Sequence, residues 1–140
     1  MNKIQIGKQE VIHFIGIGGI GMSGLAQIMK TMGFNVQGSD ISVNKNIDNC
    51  QKLGIKILKG HSKKNILNAT IVVKSSAIKK NNIELFQSKK KNIPSYERIE
   101  MLANIIDLKK KIIVTGSHGK TTTTSLVAKI ISTARLDPTI

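Results

Sequence analysis

Cysteine, tryptophan and acidic residues are scarce in this chain of 140 residues, and each scarcity closes off a class of protein. Cys50 is the single cysteine, so no internal disulfide can form, which fits a reducing compartment. It stands in a polar, helix-compatible stretch and reads as an ordinary helix residue ahead of a lone nucleophile. Tryptophan is absent and aromatic residues make up 3% of the chain, so the stacking platforms on which unpaired bases are read are missing. Eight acidic residues against 22 Lys and Arg leave a net charge of +14, which by itself attracts phosphate backbones. The positive charge is nearly all lysine, scattered from Lys3 to Lys129, where base reading favours arginine forks. A solvated lysine surface and no nucleic-acid partner are therefore expected. No run approaches the roughly 18–20 apolar residues that span a bilayer, and residues 1–10 lack the apolar run of a signal peptide. The expectation is a cytoplasmic protein without membrane insertion; its oligomeric state is not legible. The length supports the core of one domain, with little left for a second.

What is present alternates. Short β-rich runs at 11–17, 35–38, 55–58 and 70–74, one near Ile93 and a sixth at 112–115 are separated by helix-compatible stretches. That alternation predicts a parallel sheet flanked by helices. Leu25, Ile28, Met29 and Met32 fall at i, i+3, i+4 and i+7, and Gly33 closes that helix. Stretches 48–53, 83–90 and 96–106 carry helical spacing, the last with Ile99, Leu102, Ala103 and Ile106 on one side. No internal repeat is visible. A lysine-rich joint at 107–111 marks a boundary between a domain at 1–107 and a second element at 108–140. A helix over 121–134 sets Leu126, Val127, Ile130 and Ile131 on one apolar face, yet a single strand precedes it. About thirty residues cannot bury that face, so the second domain is expected to be truncated, with 137–140 entering a further element.

Two turns carry the chemistry. Thr115-Gly116-Ser117-His118-Gly119-Lys120-Thr121-Thr122 follows the apolar Ile112-Ile113-Val114 and precedes the helix. Backbone N–H groups of such a turn point at phosphate oxygens, Lys120 is placed to reach the β- and γ-phosphates, and Thr121 offers a hydroxyl to Mg²⁺. The full phosphate-loop pattern wants its first glycine at Val114, so this is a shorter variant opening at Gly116. The second turn, Gly16-Ile17-Gly18-Gly19-Ile20-Gly21, is G-x-G-x-x-G between a predicted strand and helix, with Asp40 after the next strand. That setting places a diphosphate on the helix N-terminus and Asp40 near a ribose or base, unless the glycines only allow close packing and Asp40 caps a turn. Ligands of open parallel sheets collect at the carboxyl ends of the strands, where Ser39, Asp40, Gly60, His61, Ser75 and Ser76 also fall. His61 suits a phosphate or a base, with a ligand-free loop histidine as the alternative; Ser75-Ser76 suits a phosphate or sugar oxygen, or a helix cap. His13, next to Phe14 in mid-strand, reads as a satisfied core histidine.

Taken together, these residues resemble the Mur ligase family. The resemblance rests on His13-Phe14-Ile15-Gly16-Ile17-Gly18-Gly19, Gly21-Met22-Ser23-Gly24, Gly38-Ser39-Asp40, Gly60-His61, Val72-Val73 with Ser75-Ser76-Ala77-Ile78, Arg98 with Glu100-Met101-Leu102, the phosphate loop, and Leu136-Asp137-Pro138-Thr139. It implies an α/β fold: a Rossmann-like parallel-sheet domain that holds the uridine diphosphate end of a substrate at Gly16, Gly18, Gly19, Gly21, Ser39, Asp40, His61, Ser75 and Ser76. The first βα unit of a truncated P-loop ATP-binding domain follows, and the family's C-terminal domain is absent. ATP would lie on Gly116, Ser117, His118, Gly119, Lys120, Thr121 and Thr122, with Lys120 catalytic and Mg²⁺ on Thr121. The spelling of the first loop is nearest to members that join L-alanine to UDP-N-acetylmuramate through an acyl phosphate in peptidoglycan synthesis; a murein-peptide ligase is the alternative. The chain as it stands is expected to be inactive. Ser117 where Thr is common, Ile83 within an Asn-Pro-Glu run, and the charge of Lys74 depart from the family pattern. From the glycine loop and Asp40 alone, a NAD-dependent oxidoreductase is the competing reading.

Overall fold

The computed structural model describes residues 3–110 and 112–138, and the chain divides after Leu108 into two compact units. Lys111 of the predicted joint, and Thr139 and Ile140 of the terminal segment, lie outside the described residues.

The first unit runs β1 (Val11–Ile15), α1 (Ile20–Thr31), β2 (Asn35–Asp40), α2 (Lys45–Lys52), β3 (Lys56–Lys59), a short 3-10 turn (Lys63–Ile66), β4 (Ile71–Lys74), α3 (Ile83–Lys90), β5 (Ser95–Glu97) and α4 (Arg98–Asp107). All five strands are parallel, in the order β3-β2-β1-β4-β5. The order reverses at β1, so a crevice opens between the carboxyl ends of β1 and β4, where ligands of doubly wound sheets bind. The reason β1 reads as an almost unbroken apolar run is that both sheet faces are covered. On one face Ile12, Phe14, Val36, Ile71 and Val73 pack with Met22, Leu25, Ala26 and Met29 of α1, Cys50 of α2 and Met101 and Ile105 of α4. On the other, Ile15 and Val72 meet Leu85 of α3. Cys50 is fully buried in the first of these cores, and burial pushes its thiol up, as suits a packed helix residue.

Helix ends follow their local chemistry. Asn44 caps α2 through Ile47 N–H, Asn82 caps α3 through the N–H groups of Glu84 and Leu85, and Glu97 with Glu100 closes a capping box on α4. Asn44 moves the start of α2 to Lys45, ahead of the 48–53 stretch read from spacing. Ile83 occupies the first helical position of α3, whose N–H needs no helical acceptor, so the departure from Asn-Pro-Glu there leaves the Asn82 cap intact.

Among its described residues the second unit contains one regular element, α5 (Lys120–Thr133). Residues 112–115 are not a strand, correcting the expectation of a sixth: an extended segment becomes one only by pairing, and among the described residues no neighbour pairs with it. Of the residues on α5, only Ala128 is buried; Leu126 and Ile130 are 61% and 69% exposed.

Candidate functional site

The glycine turn after β1 is held from below by β2. The N–H groups of Gly16 and Ile17 both donate to the Ser39 carbonyl, at 2.8 and 3.1 Å, and Gly18 N–H donates to Asp40 Oδ2 at 2.7 Å. A Cβ on Gly18 would stand 2.8 Å from that same oxygen, so only glycine lets the loop come this close. Asn44 and Asn46 donate to the Gly18 carbonyl. Gly19 stands at the N-cap of α1 with no side-chain cap, the first turn holds no acidic residue, and the first backbone bond runs from Ser23 N–H to Gly19 O. The N–H groups of residues 20–22 therefore have no helical acceptor. The Arg98 side chain packs over this turn: a Cβ on Gly21 would lie 3.1 Å from Arg98 Nε. No hydrogen bond or ion pair engages Arg98 among the described residues. An uncapped helix start beside a guanidinium without a counter-ion is a strongly anion-favouring place.

Asp40 and Ser39 turn towards the protein. Asp40 is 9% exposed; Oδ2 holds Gly18 and Oδ1 accepts from Ser42 N–H and Oγ–H at 2.9 and 2.6 Å. Burial pushes its carboxyl up, but the bonds from Ser42 and Gly18 outweigh this and leave it below the ordinary carboxylate range. Ser39 is fully buried and donates to Glu84 Oε2 at 2.7 Å.

Glu84 is the residue that sequence reasoning missed. It is completely buried, at the second position of α3, and gathers the carboxyl ends of β2 and β3. Oε2 accepts from Ser39 and from His13 Nε2 (3.1 Å), and Oε1 accepts from Ser62 N–H (3.2 Å) and Asn65 Nδ2 (2.5 Å). Burial pushes this carboxyl up, yet the bonds from His13, Ser39 and Asn65 hold it at about 2, against an ordinary 4.5. His13 is a satisfied core histidine, as its mid-strand position suggested. The available signal was Asn82-Ile83-Glu84, an N-cap followed by an acid, which normally marks a solvated helix start.

His61 sits at the edge of this network, its side chain 18% exposed, with Nδ1 3.3 Å from Ser39 Oγ and 3.5 Å from Glu84 Oε2. It lines a cavity of about 260 Å³ with Ile41, Ala77, Ile78, Lys79, Asn81 and Asn82. Ile78 joins this cavity to the glycine turn, since a Cβ on Gly16 would lie 3.1 Å from Ile78 Cδ1. Ser75 and Ser76 begin the loop between them; Ser75 Oγ accepts from Ala77 N–H, capping a turn where a helix cap was the alternative. Lys74 does not add free charge, because its ammonium pairs with Glu97. The structure thus brings Gly16, Gly18, Gly19, Gly21, His61, Ser75 and Ser76 to one edge of the sheet, with Ser39 and Asp40 bracing them from inside.

The second turn stands in the other unit. Gly119 precedes α5 at φ +72°, a left-handed conformation that favours glycine, and Thr123 N–H donates to its carbonyl. Lys120 Nζ donates back to Gly116 O at 2.7 Å. Gly116, Ser117, His118, Gly119, Lys120, Thr121 and Thr122 are all exposed. Among the described residues no cluster of three His, Cys, Asp or Glu side chains is placed to hold a metal. No helix among them is long and apolar enough to cross a membrane.

Residues 11–110 match the Mur ligase family, catalytic domain, a stretch that covers β1 to α4 and ends before the second glycine turn. The chain is 67% identical to the UDP-N-acetylmuramate–L-alanine ligase of Pelagibacter ubique (strain HTCC1062), over 99% of this chain and 30% of that protein. Among solved structures it is similar to the UDP-N-acetylmuramate-alanine ligase of Thermotoga maritima, with 36% identity and a TM-score of 0.75 over 89% of this chain and 29% of that one. It is also similar to the UDP-N-acetylmuramate:L-alanyl-gamma-D-glutamyl-meso-diaminopimelate ligase of Neisseria meningitides, with 29% identity and a TM-score of 0.74 over 90% and 40%. It spans about 30% of the length of the curated relatives it matches. The sheet order, the braced glycine turn and the family match over residues 11–110 agree: the chain belongs to the Mur ligase family.

Proposed function

We propose that this chain is the nucleotide-sugar-binding part, with the start of the ATP-binding part, of a ligase that joins L-alanine to UDP-N-acetylmuramate in cell-wall synthesis. One observation carries the reading: the uncapped start of α1, Arg98, unpaired among the described residues, and the cavity beside His61 lie along one sheet edge, matching an anionic diphosphate with a base attached. The diphosphate rests on the N–H groups at the start of α1 against Arg98. The base enters the cavity, and Ser75 and Ser76 face the sugar or phosphate oxygens. Among solved structures the identity is 36% to the Thermotoga alanine-adding ligase against 29% to the Neisseria peptide ligase, which favours alanine as the amine.

In a chain of the relatives' length, the muramate carboxylate attacks the γ-phosphorus of ATP and ADP leaves. The alanine amine then attacks the acyl phosphate carbon, phosphate departs and the nitrogen loses a proton. Lys120 neutralises charge on the transferred phosphoryl group and the N–H groups at the start of α5 cradle phosphate oxygens. Thr121 fits a Mg²⁺ ion, which takes few protein oxygens beside phosphates and water and would supply charge neutralisation there.

The test is ligand protection. UDP and UDP-N-acetylmuramate are expected to raise the melting temperature of the sheet unit, and NAD to leave it unchanged. Protection by NAD without protection by UDP would restore the oxidoreductase reading.

A further inference from the structure

Lysines are scattered along the sequence, but the fold of the first unit sorts charge between the two faces of its sheet. The face covered by α1, α2 and α4 mixes signs, with Lys30, Lys45 and Lys52 beside Asp48, Glu100 and Asp107. The other face is covered by α3 and the 3-10 turn at Lys63–Ile66, which pack against each other. Both elements belong to the stretch 53–96, which holds ten lysines and a single acid, Glu84. Glu84 is fully buried against His13 and Ser39, so no carboxylate of this stretch reaches solvent. Lys63, Lys64, Lys89, Lys90 and Lys91 are all exposed. A general abundance of lysine does not by itself strip one face of acids.

The same face exposes apolar side chains. On α3, Glu84, Leu85 and Ser88 are buried, which leaves Ile83 and Phe86, about one helical turn apart, on the outer side, 36% and 58% exposed. Leu67, which closes the 3-10 turn, is also 58% exposed. Apolar side chains set among lysines without acids suit the surface of an anionic bilayer. There the apolar groups enter the headgroup layer, lysine stems lie along them and the ammonium groups meet lipid phosphates. A polynucleotide fits this face less well, because the stretch 53–96 holds no arginine to fork a phosphate or read a base. We propose that the α3 face of the first unit docks on an anionic membrane surface. Phe86, Ile83 and Leu67 enter the headgroup layer, and Lys63, Lys64 and Lys89 to Lys91 lie over lipid phosphates. This is attachment at a surface, without a spanning helix, and it stands independently of the nucleotide site.

The experiment measures sedimentation of the chain with vesicles at about 0.1 M salt, comparing pure phosphatidylcholine with phosphatidylcholine containing about one third phosphatidylglycerol. Binding to the anionic vesicles is expected to be roughly ten-fold or more tighter, and to weaken several-fold at about 0.5 M salt. Lys89→Gln, Lys90→Gln and Lys91→Gln together should weaken it about ten-fold or more, and Phe86→Ser about three-fold or more. Lys30→Gln, Lys45→Gln and Lys52→Gln together remove the same charge from the other face and should change it by no more than about two-fold. Equal binding to the two vesicles, or none, would overturn the proposal. So would an equal loss in the two triple variants, which would make net charge the cause, or full binding by Phe86→Ser. Binding of poly-L-glutamate as tight as that of the anionic vesicles, and indifferent to Phe86, would assign the face to an acidic polymer instead. The replaced side chains of this face are exposed, so the helices should be kept, as circular dichroism checks; Leu67→Ser repeats the apolar test outside α3.

Discussion

Two glycine turns lead into helices in this protein, one in each unit, and they differ in what surrounds them. At the first, Gly16 and Ile17 hang on the Ser39 carbonyl, Gly18 on Asp40, and α1 buries Met22, Leu25, Ala26 and Met29. At the second, the bonds are local: Lys120 to Gly116 O, Thr123 N–H to Gly119 O, and a helix on which Ala128 alone is buried. A turn motif dictates where a chain reverses and where a helix begins. Rigid placement comes from residues distant in sequence, here 22 positions away for Asp40 and Gly18.

The sharpest way to break the contrast is through Glu84. Glu84→Ala removes the acceptor shared by His13, Ser39, Asn65 and Ser62 and strands buried donors, and should cost the first unit about 3–5 kcal/mol in denaturant unfolding. A loss below about 1 kcal/mol would show that the network is not holding the sheet edge. Acid reaches the same carboxylate by protonation. Its value is lowered on folding, so its contribution is complete above about pH 4.5 and is lost as the pH falls towards 2, on the order of 3 kcal/mol in all. Glu84→Gln should flatten that part of the acid limb.

The next comparison pairs two leucines. Leu25 is 3% exposed and Leu126 is 61% exposed. Leu25→Ala should cost about 2–5 kcal/mol and Leu126→Ala no more than about 0.5 kcal/mol. Equal losses would mean that α5 buries its apolar face.

The smallest effects separate the two turns themselves. Gly18→Ala puts a methyl 2.8 Å from Asp40 Oδ2 and should destabilise the first unit by about 1–3 kcal/mol. Gly119→Ala meets no atom within 4 Å and is opposed only by the left-handed φ, so it should cost about 1–2 kcal/mol of helix formation in α5, read by circular dichroism. The melting of the first unit should not change. A shift of that melting with Gly119→Ala would break the contrast between a braced turn and a free one.

The legible parts were those governed by neighbours in sequence. Apolar runs located β1 to β4, and α3 falls at Ile83–Lys90 as its spacing suggested. Strand β5 instead lies at Ser95–Glu97, after the run near Ile93 and partly inside the stretch read as helical from residue 96. Strand β2 runs on to Asp40 because Gly38, Ser39 and Asp40 pair with Ile57, Leu58 and Lys59; small and polar residues conceal a strand whose evidence is its partner. The misjudged 112–115 segment has the complementary cause, a strand-like composition without a partner. The common placement of the glycines, His61, Ser75 and Ser76 at one edge of the sheet followed from their positions after strands. The inward turn of Ser39 and Asp40 did not, since nothing local distinguishes a carboxylate that meets a ribose from one that meets a backbone N–H.

The amino-acid sequence alone determined the alternation of strands and helices, both glycine turns, the family and the lack of a disulfide within these 140 residues, because periodicity, turn chemistry and residue counts are local or additive. Only the tertiary structure decided that Glu84 lies buried beneath His61, that Arg98 packs over Gly21, and that one turn is braced while the other is exposed. Those outcomes depend on which surfaces meet across the sheet, and burial is what turns a solvated acid at a helix start into the acceptor around which a site is ordered.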